Sequence, residues 1–228
     1  MDLASDWFDR FHPWLWLLGA RGADNEGQAR LIRKLLRLRR GQRVLDVPCG
    51  RGRISFQLGA MGMEVVGVDA NRQFVKSARE RFRRQELRGS MIVDDMRRID
   101  FCAEFHGAFN WFGSFGYFSD MENAEFLQSL VRAIRPGGRL LVEQGNRERM
   151  LRSFLSRIED ASGVRITNRW DARTQRIEGT WVTVKTGADL RCACTHPPSS
   201  HHSSREPVWP SRACGGLTAS LLAARHGA

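Results

Sequence analysis

Apolar and polar residues along this chain fall into blocks whose period switches between that of a helix and that of a strand. From about Asn25 to Leu38, the residues Ala29, Ile32, Leu35 and Leu36 share one helical face, and Gly41 closes the segment. The short apolar runs Arg43–Val47, Glu64–Val68, Ser90–Val93, Gly107–Trp111 and Arg139–Glu143 predict five strands. Between them, Arg53–Gly59 begins a helix, and Gln73–Glu86 repeats Phe74, Ala78 and Phe82 at about one turn. Glu122–Ile134 predicts a further helix, stopped by Arg135-Pro136-Gly137-Gly138. Strands separated by helices of this length predict an α/β fold with a doubly wound, mostly parallel sheet and helices on both faces.

The flanks read differently. Residues 1–40 predict a helical cap, with Trp7, Phe8, Phe11, Trp14 and Trp16 as an apolar lid or as packing against the core, and His12 beside them as a candidate base. Residues 41–149 form the core unit. Within 150–190, Met150–Ile158 continues as a helix, and Val164–Trp170 and Arg176–Lys185 alternate as a small antiparallel ribbon around the turn at Asp171–Gln175. Residues 191–228 lose all periodicity, and Pro197-Pro198-Ser199-Ser200-His201-His202-Ser203-Ser204 marks a disordered tail or one foreign to the fold. GC-rich back-translation from Arg191 to Leu217, read two bases on, permits an amphipathic leucine helix with a glycine stop. A frame-shifted tail is the second expectation for this segment. A shifted frame would remove the C-terminal strands, leave a bare edge at the fifth strand and lower stability.

Composition narrows the setting. The chain has 228 residues, 42% of them hydrophobic, with no apolar run near the roughly 18–20 residues that span a bilayer. The first residues carry Asp2, Asp6 and Asp9 rather than the positive charge of a secretory signal, so a cytoplasmic location is expected. The net charge of +11 comes from arginine, with Lys34, Lys76 and Lys185 the only lysines, and it keeps nucleic acid among the candidate partners. Cys49 and Cys102 read as reduced core residues. Cys192, Cys194, His196, His201, His202 and Cys214 match no regular zinc spacing, and no metal is expected.

The chemistry concentrates at strand ends. Asp46 ends the first strand, and Pro48, Gly50 and Gly52 form a tight turn into a helix, so that backbone N–H groups can approach a nucleoside ligand. A carboxylate in that place repels a pyrophosphate and suits a cationic ligand. Asp69, followed by Ala70, ends the second strand, where an acid accepts both ribose hydroxyls. Asp95 and Met96 follow the third strand, where a carboxylate and a backbone N–H meet an adenine edge. Taken singly, these acids are also consistent with a ligand-free turn, a helix N-cap and a solvated turn. Three acids ending consecutive parallel strands form one line at the edge where such sheets bind ligands.

These residues, together with Asn110-Trp111-Phe112-Gly113-Ser114-Phe115-Gly116-Tyr117-Phe118 and Ile134-Arg135-Pro136-Gly137-Gly138-Arg139, resemble class I S-adenosylmethionine-dependent methyltransferases of Rossmann-like fold. The likeness covers about Asp6 to Arg149. It is similar in detail to a poorly characterised bacterial branch with an Asp-x-Pro-Cys-Gly turn, in which Pro48 stands where most of the family has glycine. The resemblance implies S-adenosyl-L-methionine as cofactor, with Asp46, Gly50 and Gly52 at its methionine end. It implies Asp69 at the ribose, Asp95 and Met96 at the adenine, and Asn110 with Trp111 near the sulfonium. Methyl transfer needs alignment more than a dedicated acid or base, so no catalytic residue is named. An Asp/Asn-Pro-Pro-Tyr/Phe string is absent after the fourth strand, which favours a small-molecule acceptor. An RNA-directed enzyme, an RNA-binding module and an inactive frame-shifted remnant stay open as alternatives.

Overall fold

The computed structural model describes residues 24–159, 164–183, 189–195 and 220–224, the last two stretches as backbone strands. Helix α1 (Asn25–Leu35) starts at Asp24, whose carboxylate caps the Gly27 N–H at 2.7 Å. The core then alternates as β1 (Arg43–Asp46), α2 (Arg53–Ala60), β2 (Glu64–Asp69), α3 (Arg72–Arg84) and β3 (Gly89–Val93). A 3₁₀ turn at Met96–Arg98 leads to β4 (Phe105–Asn110), α4 (Asp120–Ala133) and β5 (Ile134–Glu143). Helix α4 begins with a Ser119–Glu122 capping box, which satisfies two backbone donors reciprocally.

The strands form one six-stranded parallel sheet in the order β10-β5-β4-β1-β2-β3, with β10 at Ser220–Ala224. Successive side chains of a strand point to opposite faces, and here both faces are buried. Val44, Val65, Phe109 and Leu141 pack with Ile32, Ile54, Leu58 and Phe82 on the α1–α2–α3 side. Their chain neighbours Leu45, Val66, Ala108 and Leu140 pack with Phe126 and Leu130 of α4 on the other. Gly67 of β2 admits no side chain, because a Cβ there would lie 2.6 Å from Met91 Sδ and 2.9 Å from Cys49 Sγ. The five core strands and three core helices lie where the apolar periodicity puts them, with ends shifted by a few residues. The largest shift is in β5, which starts at Ile134 because the Arg135–Gly138 turn still pairs, irregularly, with β4.

Beyond the core the expectations need correcting. Helix α5 covers only Arg147–Arg152, and the segment expected to prolong it turns into β6 (Arg157–Glu159). The expected ribbon is a four-stranded antiparallel sheet of β6, β7 (Val164–Asp171), β8 (Arg176–Thr183) and β9 (Asp189–Thr195). Strands β9 and β10 both draw on the segment expected to be disordered or out of frame, and β10 pairs with β5 from Arg139 to Glu143. The described part of that segment is therefore ordered, and the bare edge expected at the fifth strand is filled. Cys49 is a buried free thiol, whereas Cys102, expected reduced, is held in a disulfide. The aromatic positions from Trp7 to Trp16, with His12, lie outside the described residues, as do His196, His201, His202 and Cys214.

Candidate active site

The sheet order reverses between β1 and β4, and ligands of open α/β sheets bind outside the carboxyl ends of the strands at such a point. The structure brings the predicted residues to this edge. Asp46, 3% exposed, ends β1 and accepts a 2.5 Å hydrogen bond from Ser55 Oγ. Burial outweighs that bond and the attraction of Arg53, and pushes the Asp46 carboxyl up to about 7. The chain then turns through a cis Val47–Pro48 bond to Gly50 and Gly52, at φ +55 and +69, a left-handed geometry that favours glycine. Gly52 caps α2, and a Cβ there would meet Ala78 Cβ at 3.0 Å. A Cβ on Gly50 would point into open space with nothing within 4 Å.

Asp69 ends β2 and is buried. Its two oxygens accept the Gly50 and Asn71 N–H groups, each at 2.8 Å, so the carboxylate joins the glycine turn to the start of α3. Burial pushes it up to about 6 despite those two bonds. The sequence reading gave both oxygens to ribose hydroxyls, whereas here each already takes one backbone donor and keeps one lone pair for a ligand. Ala70 follows, half-buried.

Asp95 behaves otherwise. Its carboxylate accepts from Arg97 N at 2.9 Å and Arg97 Nη2 at 2.6 Å, and Arg97 also reaches Glu122 at 2.7 Å. Burial works against its charge, but the Arg97 bonds outweigh burial and hold the carboxyl below the usual carboxylate range. Met96 beside it is buried. On β4, Asn110 is fully buried; Nδ2 donates to the Val47 carbonyl at 2.8 Å, while Oδ1 has no partner among the described residues. Such an orphaned acceptor is costly and marks a place where a donor is expected.

Three contributors were absent from the sequence reading. Glu143 ends β5 and accepts the Gly113 N–H at 2.9 Å, and so anchors the turn after β4. The rule that singled out Asp46, Asp69 and Asp95, an acid closing a strand, also selects Glu143. Gln28 of α1 accepts from Trp111 Nε1 at 3.0 Å and from Arg53 at 2.9 Å, a tertiary link with no local signal. Arg53 sits among α1, the Asp46 turn and Phe112. His106 lies away from this edge, with Nδ1 accepting the Arg43 N–H at 3.2 Å.

Residues 44–138 match a family described as a methyltransferase domain. Over 111 residues the chain is 34% identical to the ubiquinone/menaquinone biosynthesis C-methyltransferase UbiE of Yersinia pestis bv. Antiqua (strain Antiqua), covering 46% of this chain and 43% of that protein. The corresponding protein of Edwardsiella ictaluri (strain 93-146) is 30% identical over 138 residues, covering 58% and 53%. The chain thus spans about half the length of the curated relatives it matches. An S-adenosylmethionine-dependent methyltransferase from Clostridium acetobutylicum ATCC 824 shares the fold at a TM-score of 0.64 and 14% identity, over 82% of this chain and 81% of that one. The CcbJ methyltransferase of Streptomyces caelestis does so at 0.62 and 17%, over 76% and 72%. Residues 44–138 thus match a methyltransferase domain, and the chain shares its fold with S-adenosylmethionine-dependent methyltransferases.

Proposed function

We propose that this chain transfers a methyl group from S-adenosyl-L-methionine to a small-molecule acceptor. The observation that carries this reading is the pair of buried acids at the switch point, Asp46 and Asp69, which end the adjacent parallel strands β1 and β2. A site that holds carboxylates at such a cost is complementary to a cationic ligand. The residues fit that group: the open space at Gly50, the orphaned Oδ1 of Asn110 and the free lone pairs of Asp69 are all at one edge.

In this reading Asp46 takes the cofactor's ammonium, and the turn of Pro48, Gly50 and Gly52 gives the chain its close approach. Asp69 with Ala70 holds the ribose hydroxyls. Asp95 and Met96 hold the adenine edge, the Asp95 carboxylate being shared with Arg97. Asn110 borders the reacting end. The bound cofactor supplies an activated methyl group, so the residues of the chain need only align the acceptor and exclude water. Among the described residues no helix is long and apolar enough to cross a membrane, and we assign the reaction to the cytoplasm.

A carbon acceptor would match the relatives, which are C-methyltransferases. Isothermal titration with S-adenosylhomocysteine tests the cofactor reading: saturable binding supports it, and a folded chain that does not bind refutes it. One observation favours RNA as the acceptor instead. The exposed residues Arg72, Lys76, Arg79 and Arg83 recur at four, three and four residues along α3, a single basic stripe on a chain of net charge +11. RNA binding that weakens steeply with salt would support that alternative.

A further inference from the structure

Arg53 is a half-buried cation at the mouth of the site, one residue past Gly52. Its Nη1 donates to two neutral amide oxygens of α1, Asn25 Oδ1 at 2.8 Å and Gln28 Oε1 at 2.9 Å. Its guanidinium carbon lies 4.8 Å from the centre of the Phe112 ring. A guanidinium has five N–H donors in a planar fork. Among the described residues no acceptor meets Nε or Nη2, the pair that grips a carboxylate side-on. Burial lowers the Arg53 pKa, and the Asp46 and Glu143 charges oppose that effect, so the cation stands within electrostatic reach of both acids.

The chemistry of an α-amino acid completes the argument, which rests on the cofactor reading above. Its ammonium and carboxylate share one carbon, so a ligand whose ammonium meets Asp46 must place its carboxylate beside Asp46. We propose that Arg53 is the carboxylate-binding residue for the α-amino-acid end of the cofactor, gripping it through Nε and Nη2 while Nη1 stays tethered to α1. Arg53 is then a specificity residue: it separates ligands with an amino-acid end from nucleosides that lack one. The tether to Asn25 and Gln28 fixes the fork before the ligand arrives, which reduces the ordering cost of binding.

Calorimetry on the full chain with two probes tests this. S-adenosylhomocysteine carries the amino-acid end, and 5′-methylthioadenosine shares adenine, ribose and sulfur but lacks it. The wild type is expected to prefer the former by about tenfold or more, the scale of one charge-assisted bidentate pair. Arg53→Gln is expected to remove most of that preference and to leave 5′-methylthioadenosine affinity within about twofold, and Arg53→Lys to keep part of it. Gln28→Leu, which removes one of the two tether bonds but keeps the cation and its bond to Asn25, is expected to retain the preference. Equal loss for both probes in Arg53→Gln would show a merely structural role and overturn the proposal. So would a wild type that binds both equally. A folded wild type that binds neither refutes the cofactor reading, and the Arg53 assignment with it.

Discussion

The two ends of the carboxyl edge treat their acids in opposite ways. At β1 and β2, Asp46 and Asp69 are buried and bonded only to a hydroxyl and to backbone N–H groups, and their carboxyls are pushed up to about 7 and about 6. At β3, Asp95 is half-buried and held by the Arg97 guanidinium, which keeps its carboxyl below the usual range. At the first pair burial works against the charged form and, among the described residues, no cation bonds either carboxyl, whereas Asp95 has its counter-ion built in. Complementarity to a cationic ligand therefore resides at β1 and β2, and β3 contributes shape and one shared acceptor.

The contrast breaks most visibly at Asp69. Asp69→Ala removes the proposed ribose acceptor and orphans the Gly50 and Asn71 N–H groups; each unpaired buried donor costs about 1–3 kcal/mol. S-adenosylhomocysteine affinity is expected to fall more than about a hundredfold by calorimetry. An equal fall in Asp95→Ala would erase the distinction between the two ends.

Asp46→Asn sharpens it from the other side, because the effects on binding and on stability have opposite signs. Below the ordinary aspartate value of 3.8 the Asp46 carboxyl is protonated in both folded and unfolded chains. Between 3.8 and about 7 the unfolded chain releases that proton while the folded chain keeps it, so stability is lost as pH rises through this window. At pH 7 the loss approaches about 4 kcal/mol for this shift. Thermal melts of the ligand-free wild type are expected to drop from pH 4 to pH 7. Asp46→Asn should flatten that slope and melt higher at pH 7 while binding the cofactor about tenfold or more weaker. A steeper slope in the variant would contradict the burial argument.

The smallest effects belong to β3. The Arg97 side chain is 37% exposed, so its pair with Asp95 is worth under about 1 kcal/mol. Arg97→Gln is expected to shift the melting temperature only slightly, as read by calorimetric scanning, and to change S-adenosylhomocysteine affinity less than about fivefold.

How much of this was legible depended on whether the signal was local. The strands β1 to β5 announce themselves because both sheet faces are buried, so runs such as Val65-Val66-Gly67-Val68 are continuously apolar. Asp46, Asp69 and Asn110 lie at the carboxyl edge of the sheet because strand ends fix their position. The Arg97 grip on Asp95 was not legible, since a counter-ion two residues away is one of several rotamer outcomes that only the position of Glu122 on α4 selects. The links from Gln28 to Trp111 and Arg53 join residues far apart in the chain and leave no periodic trace. Beyond Arg152, the three residues of β6 are all exposed and carry no alternating apolar pattern, so the periodicity predicts a helix where the chain forms a strand.

Strand β10 adds a temporal constraint. It lies beside β5 in the parallel sheet, yet four strands of a separate sheet intervene in the chain. During synthesis the β5 edge emerges early and waits, with its backbone groups unpaired, until β10 has left the ribosome. Pairing at such sequence separation is slow and exposes an adhesive edge in the interval. The core sheet is thus finished last, by a strand that follows the whole of the second sheet in the chain.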